Sequence, residues 1–497
     1  MARRGRRYLT TVTYDLLIIG GGINGCAIAR EAALNGLSVL LVEKGDLAGA
    51  TSSASTGLIH GGLRYLEYYE FKLVAEALRE RERLVHAAPH LIRPMLFELP
   101  FENSARPWWM LRLGLYLYDF LGGRMSLPRS RGLRPSDPAF TAPLQGGGRG
   151  FVYSDAQVDD ARLTLLNALD AAANGTEIAV GTALVSARRE SDTWRATLGD
   201  GREVAARALV NAAGPWVHQM MGRLGVNAAA NVRLIKGSHI VVPRLYEGDH
   251  SYILQQPDGR IVFAIPWQRD FTEIGTTDIP VDAPEDAVID ADEIAYLCEA
   301  VNRHFVRQVT PGDVVSTWSG VRPLYDDGAS EAKAVTRDYV LELDTHGPAL
   351  LSVFGGKITT ARHLAEEALG KIARPLGAAT RRVTRDRLFP GGDIGDFASF
   401  VRDVQARWPF LDAAQAGRMA RAYGSMLMEM LGPVTTAADM GQAFGGGLTE
   451  IEARWMHDRE WARTPDDALW RRSKTGLHMS EAERAAFAQW WHATYPR

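Results

Sequence analysis

Four short apolar runs punctuate the first 360 residues, and each stops on a glycine or an acid. Tyr14-Asp-Leu-Leu-Ile-Ile-Gly20 reads as a strand buried on both faces of a parallel sheet. From Gly22 to Asn35 the apolar positions Ala27, Ile28, Ala32 and Ala33 follow helical spacing, and Gly36 stands where a helix C-cap glycine belongs. Leu37-Ser-Val-Leu-Leu-Val-Glu43 is a second strand, which completes a βαβ unit. The same buried pattern returns at Ala208-Leu-Val-Asn-Ala-Ala-Gly214 and at Ala349-Leu-Leu-Ser-Val-Phe-Gly355. A strand that ends on glycine leaves room for a ligand against the backbone.

The intervening segment Leu234 to Asp278 has a different rhythm. Ser238-His-Ile-Val-Val242 and Arg260-Ile-Val-Phe-Ala-Ile265 predict half-buried antiparallel strands. Beyond Pro390-Gly-Gly392 the pattern is helical and amphipathic to the end. The expected fold is therefore α/β plus α+β. A discontinuous Rossmann-like nucleotide domain (14–95, 150–230 and 310–388) accompanies an antiparallel-sheet substrate domain (96–149 and 231–309), a C-terminal helical domain (389–497) and a basic arm (1–13).

The βαβ unit carries a fingerprint. Gly20, Gly22 and Gly25 follow a strand, open a helix and precede Glu43 at the end of the next strand. In that context the first glycine permits the tight turn, the second lets the backbone approach a pyrophosphate, and the third lets helix and strand pack closely. The helix N-terminus, with Ile23 and Asn24, offers amide donors to phosphate. Glu43 would accept from ribose hydroxyls. The stretch after it, Thr51-Ser-Ser-Ala-Ser-Thr-Gly-Leu-Ile-His-Gly-Gly-Leu-Arg-Tyr65, is richer in hydroxyls and glycines than an ordinary connection. Such a segment can run along a pyrophosphate and ribityl chain and leave Gly61 and Gly62 where an isoalloxazine ring needs room. FAD is accordingly the expected dinucleotide.

Composition narrows the field further. Lys and Arg number 56 against 59 Asp and Glu, a net charge of -3, so no global field points to nucleic acid. The dense basic run Arg3, Arg4, Arg6, Arg7 lacks an apolar stretch after it and reads as an unstructured arm. Cys26 and Cys298 are far apart, which argues against structural zinc, iron–sulfur ligation and disulfides; no metal is expected. No apolar stretch is long enough to span a bilayer. The segment Trp108-Trp-Met-Leu-Arg-Leu-Gly-Leu-Tyr-Leu-Tyr-Asp-Phe-Leu121, flanked by Arg106 and Arg124, suits either an interfacial helix or a buried core helix.

Taken together, Gly20-Gly-Gly-Ile-Asn-Gly25, Thr51-Ser-Ser-Ala-Ser55 and Leu58-Ile-His-Gly-Gly-Leu-Arg-Tyr-Leu66 resemble the aerobic FAD-dependent sn-glycerol-3-phosphate dehydrogenases, within the D-amino-acid-oxidase-like flavoproteins. Matches continue in order through Asp155–Arg162, Asn211–Trp216, Lys236–Ile240, Ile274–Asp278, Ser319–Pro323, Thr336–Asp338, Val353–Lys357 and Leu469–Gly476. One departure is plain: that family commonly carries Lys where Gly57 stands.

The resemblance implies oxidation of the secondary hydroxyl of sn-glycerol-3-phosphate to dihydroxyacetone phosphate. It also implies FAD as hydride acceptor and a membrane quinone as final acceptor, with the protein cytoplasmic and peripheral on the inner face of the membrane. A phosphate dianion needs cations and the hydroxyl needs a base. Arg64, Arg322 and Lys357 lie beside glycine-containing segments and are assigned to the substrate, with Tyr65, Thr276 and Thr277 as hydrogen-bonding partners. His239 is the favoured base, with His60 and Lys357 as competitors; His60 is placed against the flavin instead. His239, Arg322 and Lys357 form the expected catalytic set. The cofactor set is Gly20, Gly22, Ile23, Asn24, Gly25, Glu43, Thr51, Ser52, Ser53, His60, Gly61, Gly62, Leu63, Gly214, Gly355, Gly356, Lys357, Ile358 and Thr359. Alternatives are an oxygen-using oxidase for the same substrate, an oxidase for another small acid, and a non-catalytic flavin module. A homodimer is compatible with the helical C-terminal region.

Overall fold

The computed structural model describes residues 12–101, 104, 106–134, 137–146, 148–226, 232–325 and 339–496. The basic run Arg3 to Arg7 and the segment Thr336–Asp338 lie outside the described residues.

The predicted βαβ unit is present: strand Thr13–Ile19, helix Ile23–Leu34 and strand Val39–Glu43. Gly36 has φ +82°, the left-handed conformation that ends the helix. Thr13–Ile19 pairs in parallel with Val39–Glu43 and with Glu203–Asn211. Outside these run Glu177–Val180 and Ala349–Phe354, also parallel, and Val340–Asp344 closes one edge antiparallel. The apolar runs read from the sequence are these central strands, buried on both faces. Helices Ile23–Leu34, Asp160–Ala173 and Ala361–Leu376 share one apolar cluster with one face of the sheet. The antiparallel hairpin Leu184–Glu190/Thr193–Leu198 covers the other face through Trp194, Ala196 and Leu198.

A second sheet of ten strands runs Ile279–Val281, Val232–Pro243, Phe271–Gly275, Ile261–Trp267, Ser251–Gln255, Arg93–Pro100, Gly150–Gln157, Leu58–Ile59. Ser316–Tyr325 pairs with Val232–Pro243 over ten positions, and Arg131–Gly132 pairs with Gly150–Gln157. All these pairings are antiparallel except Ser251–Gln255 with Arg93–Pro100. Leu58–Ile59, Gly150–Gln157 and Ser316–Tyr325 fall in ranges expected for the nucleotide domain, yet they pair in the second sheet. Gly150–Gln157 shows why the pattern misleads: all eight residues are buried, so no polar face alternates along it. The chain crosses between the sheets several times, and the crossings carry the site residues.

The C-terminal region is helical, as its pattern predicts, with Phe397–Arg407, Ala413–Tyr423, Glu450–Glu460 and Glu481–Thr494 around two apolar clusters. Ion pairs dock it to the rest. Arg162 meets Glu460 at 2.7 Å with both side chains buried, Arg472 meets Asp46 at 2.7 Å, and Lys474 meets Asp159 at 2.6 Å. Removing one partner of such a pair leaves a buried charge at a penalty of about 3–5 kcal/mol.

Candidate active site

The glycine loop is built for close approach. Gly20 has φ +111°, and a Cβ there would sit 2.5 Å from the Ala212 carbonyl oxygen. At Gly25 a Cβ would lie 1.9 Å from the Gly20 carbonyl oxygen, so helix and strand meet backbone to backbone. Glu43 braces the turn: its Oε2 accepts from the Gly21 amide at 2.7 Å and its Oε1 from the Gly45 amide at 2.8 Å. Ser52 Oγ accepts from the Ile23 amide at 2.9 Å, which brings the hydroxyl-rich segment onto the first turn of the helix. A cavity of about 330 Å³ lined by Gly20, Gly22, Glu43, Leu184, Gly214 and Met220 opens along this loop. A second cavity of about 500 Å³ shares Gly49 to Thr51 and Trp216 with it, and continues past Ser53 and Ser55 to Trp318 and Trp470.

The far end of the hydroxyl-rich segment is held by a buried network. The Gly61 amide donates to Tyr118 Oη at 2.7 Å, and Tyr118 Oη donates to the Asp155 carboxylate at 2.8 Å. Arg81 Nη1 donates to Asp155 Oδ1 at 2.6 Å and to the Ser154 carbonyl at 2.8 Å. Burial pushes the Asp155 carboxyl up, against the opposing pull of Arg81, and raises the Tyr118 phenol well above its ordinary value. Tyr118 therefore stays a hydrogen-bond donor. The residues Arg81, Tyr118 and Asp155 were not among the sequence candidates. Asp155 does lie in a family-like segment, whereas Tyr118 sits in the aromatic helix and carries no signal of its own.

Gly62 (φ +75°) turns the chain into the short helix Leu63–Tyr68, which bears Arg64 and Tyr65. Lys357 Nζ lies 4.0 Å from the centre of the Tyr65 ring and is buried without a hydrogen-bond partner. The positive φ angles of Gly355 and Gly356 create the turn that places it, and Asn24 Nδ2 donates to the Gly355 carbonyl at 3.0 Å. Thr359 Oγ1 accepts from the His60 amide at 3.3 Å. The start of the Ala361–Leu376 helix is thus tied to both the glycine-loop helix and the Gly61 segment.

His239, Thr276 and Arg322 form a second cluster on the adjoining strands Val232–Pro243, Phe271–Gly275 and Ser316–Tyr325. His239 Nε2 pairs with Thr56 Oγ1 at 2.9 Å, and the imidazole stacks on Trp318. Its Nδ1 is buried without a hydrogen-bond partner, and Glu273 Oε1 is 3.6 Å from Nε2. Burial, with help from the Arg322 charge, lowers His239 to about 3, so the imidazole is neutral at physiological pH. Burial also drives the Glu273 carboxyl well above its ordinary value, so this pair is not an ion pair. Arg322 Nη2 donates to Asp278 Oδ1 at 2.7 Å and to the Thr277 carbonyl at 2.9 Å. A point just off Gly237 is 2.5 Å from Arg322 Nη2 and 2.6 Å from Thr276 Oγ1, which makes those two groups neighbours.

Thr277 belongs elsewhere: its hydroxyl donates to Glu293 and accepts from the Ser238 amide, both inside the protein. Its role is to fix the strand. The segment Thr51–Leu66 joins the Tyr65–Lys357 pair to the His239–Arg322 cluster, since Thr51 Oγ1 donates to the Val321 carbonyl and Thr56 meets His239. Gly57 stands where the resembled family commonly has lysine. It has φ +58°, and a Cβ there would be 2.7 Å from the Val158 carbonyl oxygen.

This geometry is that of a dinucleotide-binding site. Residues 15–362 match the FAD dependent oxidoreductase (DAO) family. The chain belongs to that family. It is 48% identical to the aerobic glycerol-3-phosphate dehydrogenase of Escherichia coli over 96% of this chain and 97% of that protein. It is 47% identical to the D-erythritol 1-phosphate dehydrogenase of Brucella abortus over 96% of this chain and 98% of that protein. Among solved structures, the glycerol-3-phosphate dehydrogenase of Bacillus halodurans complexed with FAD shares the fold. It has a TM-score of 0.73 and 24% identity, covering 97% of this chain and 94% of that one. The protein is an FAD-dependent oxidoreductase. The pinched glycine loop, the braced Glu43 and the unpartnered buried Asn24 Oδ1 and Lys357 Nζ fit a large cofactor that both donates and accepts hydrogen bonds.

Proposed function

We propose that the protein oxidises the secondary hydroxyl of sn-glycerol-3-phosphate to dihydroxyacetone phosphate, and that the electrons pass to a membrane quinone. The observation that carries this reading is Arg322, half-buried and aimed by Asp278 and the Thr277 carbonyl, beside a neutral buried imidazole. An oriented guanidinium suits the planar, bidentate recognition of a phosphate, and the imidazole is in the unprotonated state a base needs, its proton affinity lowered by burial and raised again by the negative charge of a bound phosphate. Bound FAD supplies the two-electron acceptor for the hydride.

The protein's own residues divide the remaining work. Arg64 and Arg322 bind the phosphate dianion. Tyr65 and Thr276 orient the carbon chain. His239 Nε2, held by Thr56 Oγ1, accepts the hydroxyl proton as the carbonyl forms. Lys357, kept dry against the Tyr65 ring, stabilises negative charge at the reacting centre. The N-terminal end of the Ala361–Leu376 helix adds its dipole on the same side.

A four-carbon phosphorylated polyol is the second reading, favoured by the relative that acts on D-erythritol 1-phosphate. Both substrates place an alcohol near a phosphate ester and would use the same cations. Comparing kcat/KM for the two under argon, with a soluble quinone as acceptor, separates them. At least tenfold preference for sn-glycerol-3-phosphate is the expected result, and the reverse preference would replace the proposed substrate.

The helix Trp108–Leu121 supports a peripheral membrane position. Leu115 and Tyr118 point inward, while Trp109 (63% exposed), Met110, Leu113, Tyr116 and Phe120 stand in solvent. It combines the two alternatives read from the sequence, with one face in the core and an aromatic face outside. No helix among the described residues is long and apolar enough to cross a membrane.

A further inference from the structure

A cavity of about 860 Å³ separates the C-terminal helices from the second sheet, away from the glycine loop. Its walls are rich in arginine, and most of these are matched. Arg162 pairs with Glu460, Arg418 with Glu452 at 2.6 Å, Arg472 with Asp46, and Arg269 with Asp270. Three guanidiniums are left without a close carboxylate among the described residues: Arg93, Arg244 and Arg421.

These three come from separate segments. Arg93 opens the strand Arg93–Pro100, Arg244 follows the strand Val232–Pro243, and Arg421 lies in the helix Ala413–Tyr423. Asp249 is the carboxylate they share. Its Oδ1 is 3.9 Å from Arg93 Nη1 and 3.7 Å from Arg244 Nη2, beyond hydrogen-bonding reach of both, and its side chain is 77% exposed. Arg93 Nη2 donates to Gln157 Oε1 at 2.6 Å, and Arg244 donates to the Tyr246, Arg269 and Gly248 carbonyls at 3.0, 2.5 and 2.8 Å, so neutral acceptors hold both guanidiniums in place and no carboxylate among the described residues is hydrogen-bonded to either. The other cavity acids are committed elsewhere: Asp159 to Lys474, and Asp412 to the Gln415 amide as a helix cap.

Arg421 is held for a ligand more firmly than a surface arginine. Its guanidinium lies 3.8 Å from the Phe397 ring centre, and Nη1 donates to the His90 carbonyl at 3.3 Å. Burial and the charge of Arg93 push Arg421 down to about 10; burial likewise lowers Arg93, with Arg244 adding to the effect. Both remain charged at neutral pH, in mutual repulsion that an anion would relieve.

We infer that this cavity is a second anion site, distinct from the flavin site, in which Arg93, Arg244 and Arg421 bind the phosphate group of a phosphomonoester or inorganic phosphate. A tetrahedral dianion suits this cluster, because Arg93 through Nη1 and Arg421 through Nη2 offer N–H donors while Arg244, held by the Tyr246, Arg269 and Gly248 carbonyls, adds a fixed positive charge. The volume leaves room for an organic body beyond the phosphate. The ligand would bridge the C-terminal helices to both strands of the second sheet, and so tighten their docking.

The test uses the FAD-loaded full chain carrying Arg322→Ala, which weakens anion binding at the substrate site, and follows inorganic phosphate by calorimetry. Phosphate binding is expected to persist in this background, to weaken at least tenfold with Arg93→Gln, and to strengthen about two- to fivefold with Asp249→Asn, which removes an exposed competing carboxylate. Asp249 is exposed, so this second variant reads the site without endangering the fold. Phosphate affinity unchanged by both variants, or no phosphate binding in the Arg322→Ala background, would overturn the assignment. Vesicles containing phosphatidic acid distinguish the source of the phosphate. Vesicle binding lost with Arg93→Gln upholds the site and assigns it to a lipid headgroup, and vesicle binding unchanged while phosphate binding falls upholds it for a soluble ligand. Because the readout is binding, its failure is separable from failure of the proposed dehydrogenase activity.

Discussion

Replacing Tyr118 by phenylalanine removes one oxygen atom from the network that holds the Gly61 segment. The ring is expected to stay in place, since it packs edge-on against Tyr153 and belongs to a continuous apolar cluster. Two things are lost. The buried Gly61 amide no longer has its acceptor at 2.7 Å, and Asp155 loses the donor at 2.8 Å, leaving Arg81 as its main partner. An orphaned buried donor costs about 1–3 kcal/mol, and a hydrogen bond to a charged group is worth about 1.5–3 kcal/mol. Part of this relaxes as the Gly61 loop shifts, so about 2–3 kcal/mol is expected at the loop. If that segment frames the flavin, the loss appears as weaker FAD binding by about 30- to 150-fold. Flavin fluorescence on dilution measures it directly, and added FAD should recover much of the turnover. Unchanged FAD affinity in a folded Tyr118→Phe variant would refute the claim that this network supports the cofactor.

Other consequences are sharper but simpler. Gly25→Ala drives a methyl to within 1.9 Å of the Gly20 carbonyl oxygen, so little FAD should remain bound to whatever protein folds; full FAD content would contradict the packing. Arg322→Ala is expected to lower kcat/KM about a hundredfold or more while FAD content is kept, since a charge partner of the substrate is removed. His239 has a folded pKa of about 3 against about 6.5 when unfolded, so its contribution to stability is present above pH ~6.5 and is lost as pH falls towards 3. The ¹⁵N imidazole signals absent from His239→Asn should accordingly report a neutral ring at pH 5 in the FAD-loaded enzyme, and a protonated ring there would contradict the burial-lowered pKa. Serine at Trp109, Leu113, Tyr116 and Phe120 should abolish liposome binding without loss of soluble turnover, and unchanged liposome binding would return that helix to a purely structural role.

The parts of the fold that the sequence makes legible are those governed by short-range rules. Runs buried on both faces announce the parallel sheet, and Gly20, Gly22 and Gly25 announce the loop, since a Cβ at Gly20 would meet the Ala212 carbonyl and one at Gly25 the Gly20 carbonyl, while at Gly22 it would crowd only the Ser52 hydroxyl. What pattern cannot reveal is which sheet a wholly buried strand joins. Gly150–Gln157, buried at all eight positions, and Ser316–Tyr325 fall in ranges expected for the nucleotide domain, yet they pair in the second sheet. The pairings of His239 with Thr56, of Gly61 with Tyr118, and of Tyr118 with Asp155 link residues 183, 57 and 37 positions apart. Such contacts depend on the crossings between sheets. Thr277 shows the converse: its position in a polar motif suggested substrate, whereas its hydroxyl is spent inside the protein on Glu293.

The central claim is that this flavoprotein takes a hydride from a three-carbon phosphorylated alcohol. Anaerobic mixing of the oxidised, FAD-loaded protein with sn-glycerol-3-phosphate tests it most directly, with the flavin absorbance followed in a stopped-flow instrument. Rapid bleaching by sn-glycerol-3-phosphate, with none by glycerol, lactate or alanine, is the expected result. A flavin that stays yellow with sn-glycerol-3-phosphate, or bleaches equally with lactate, would contradict it.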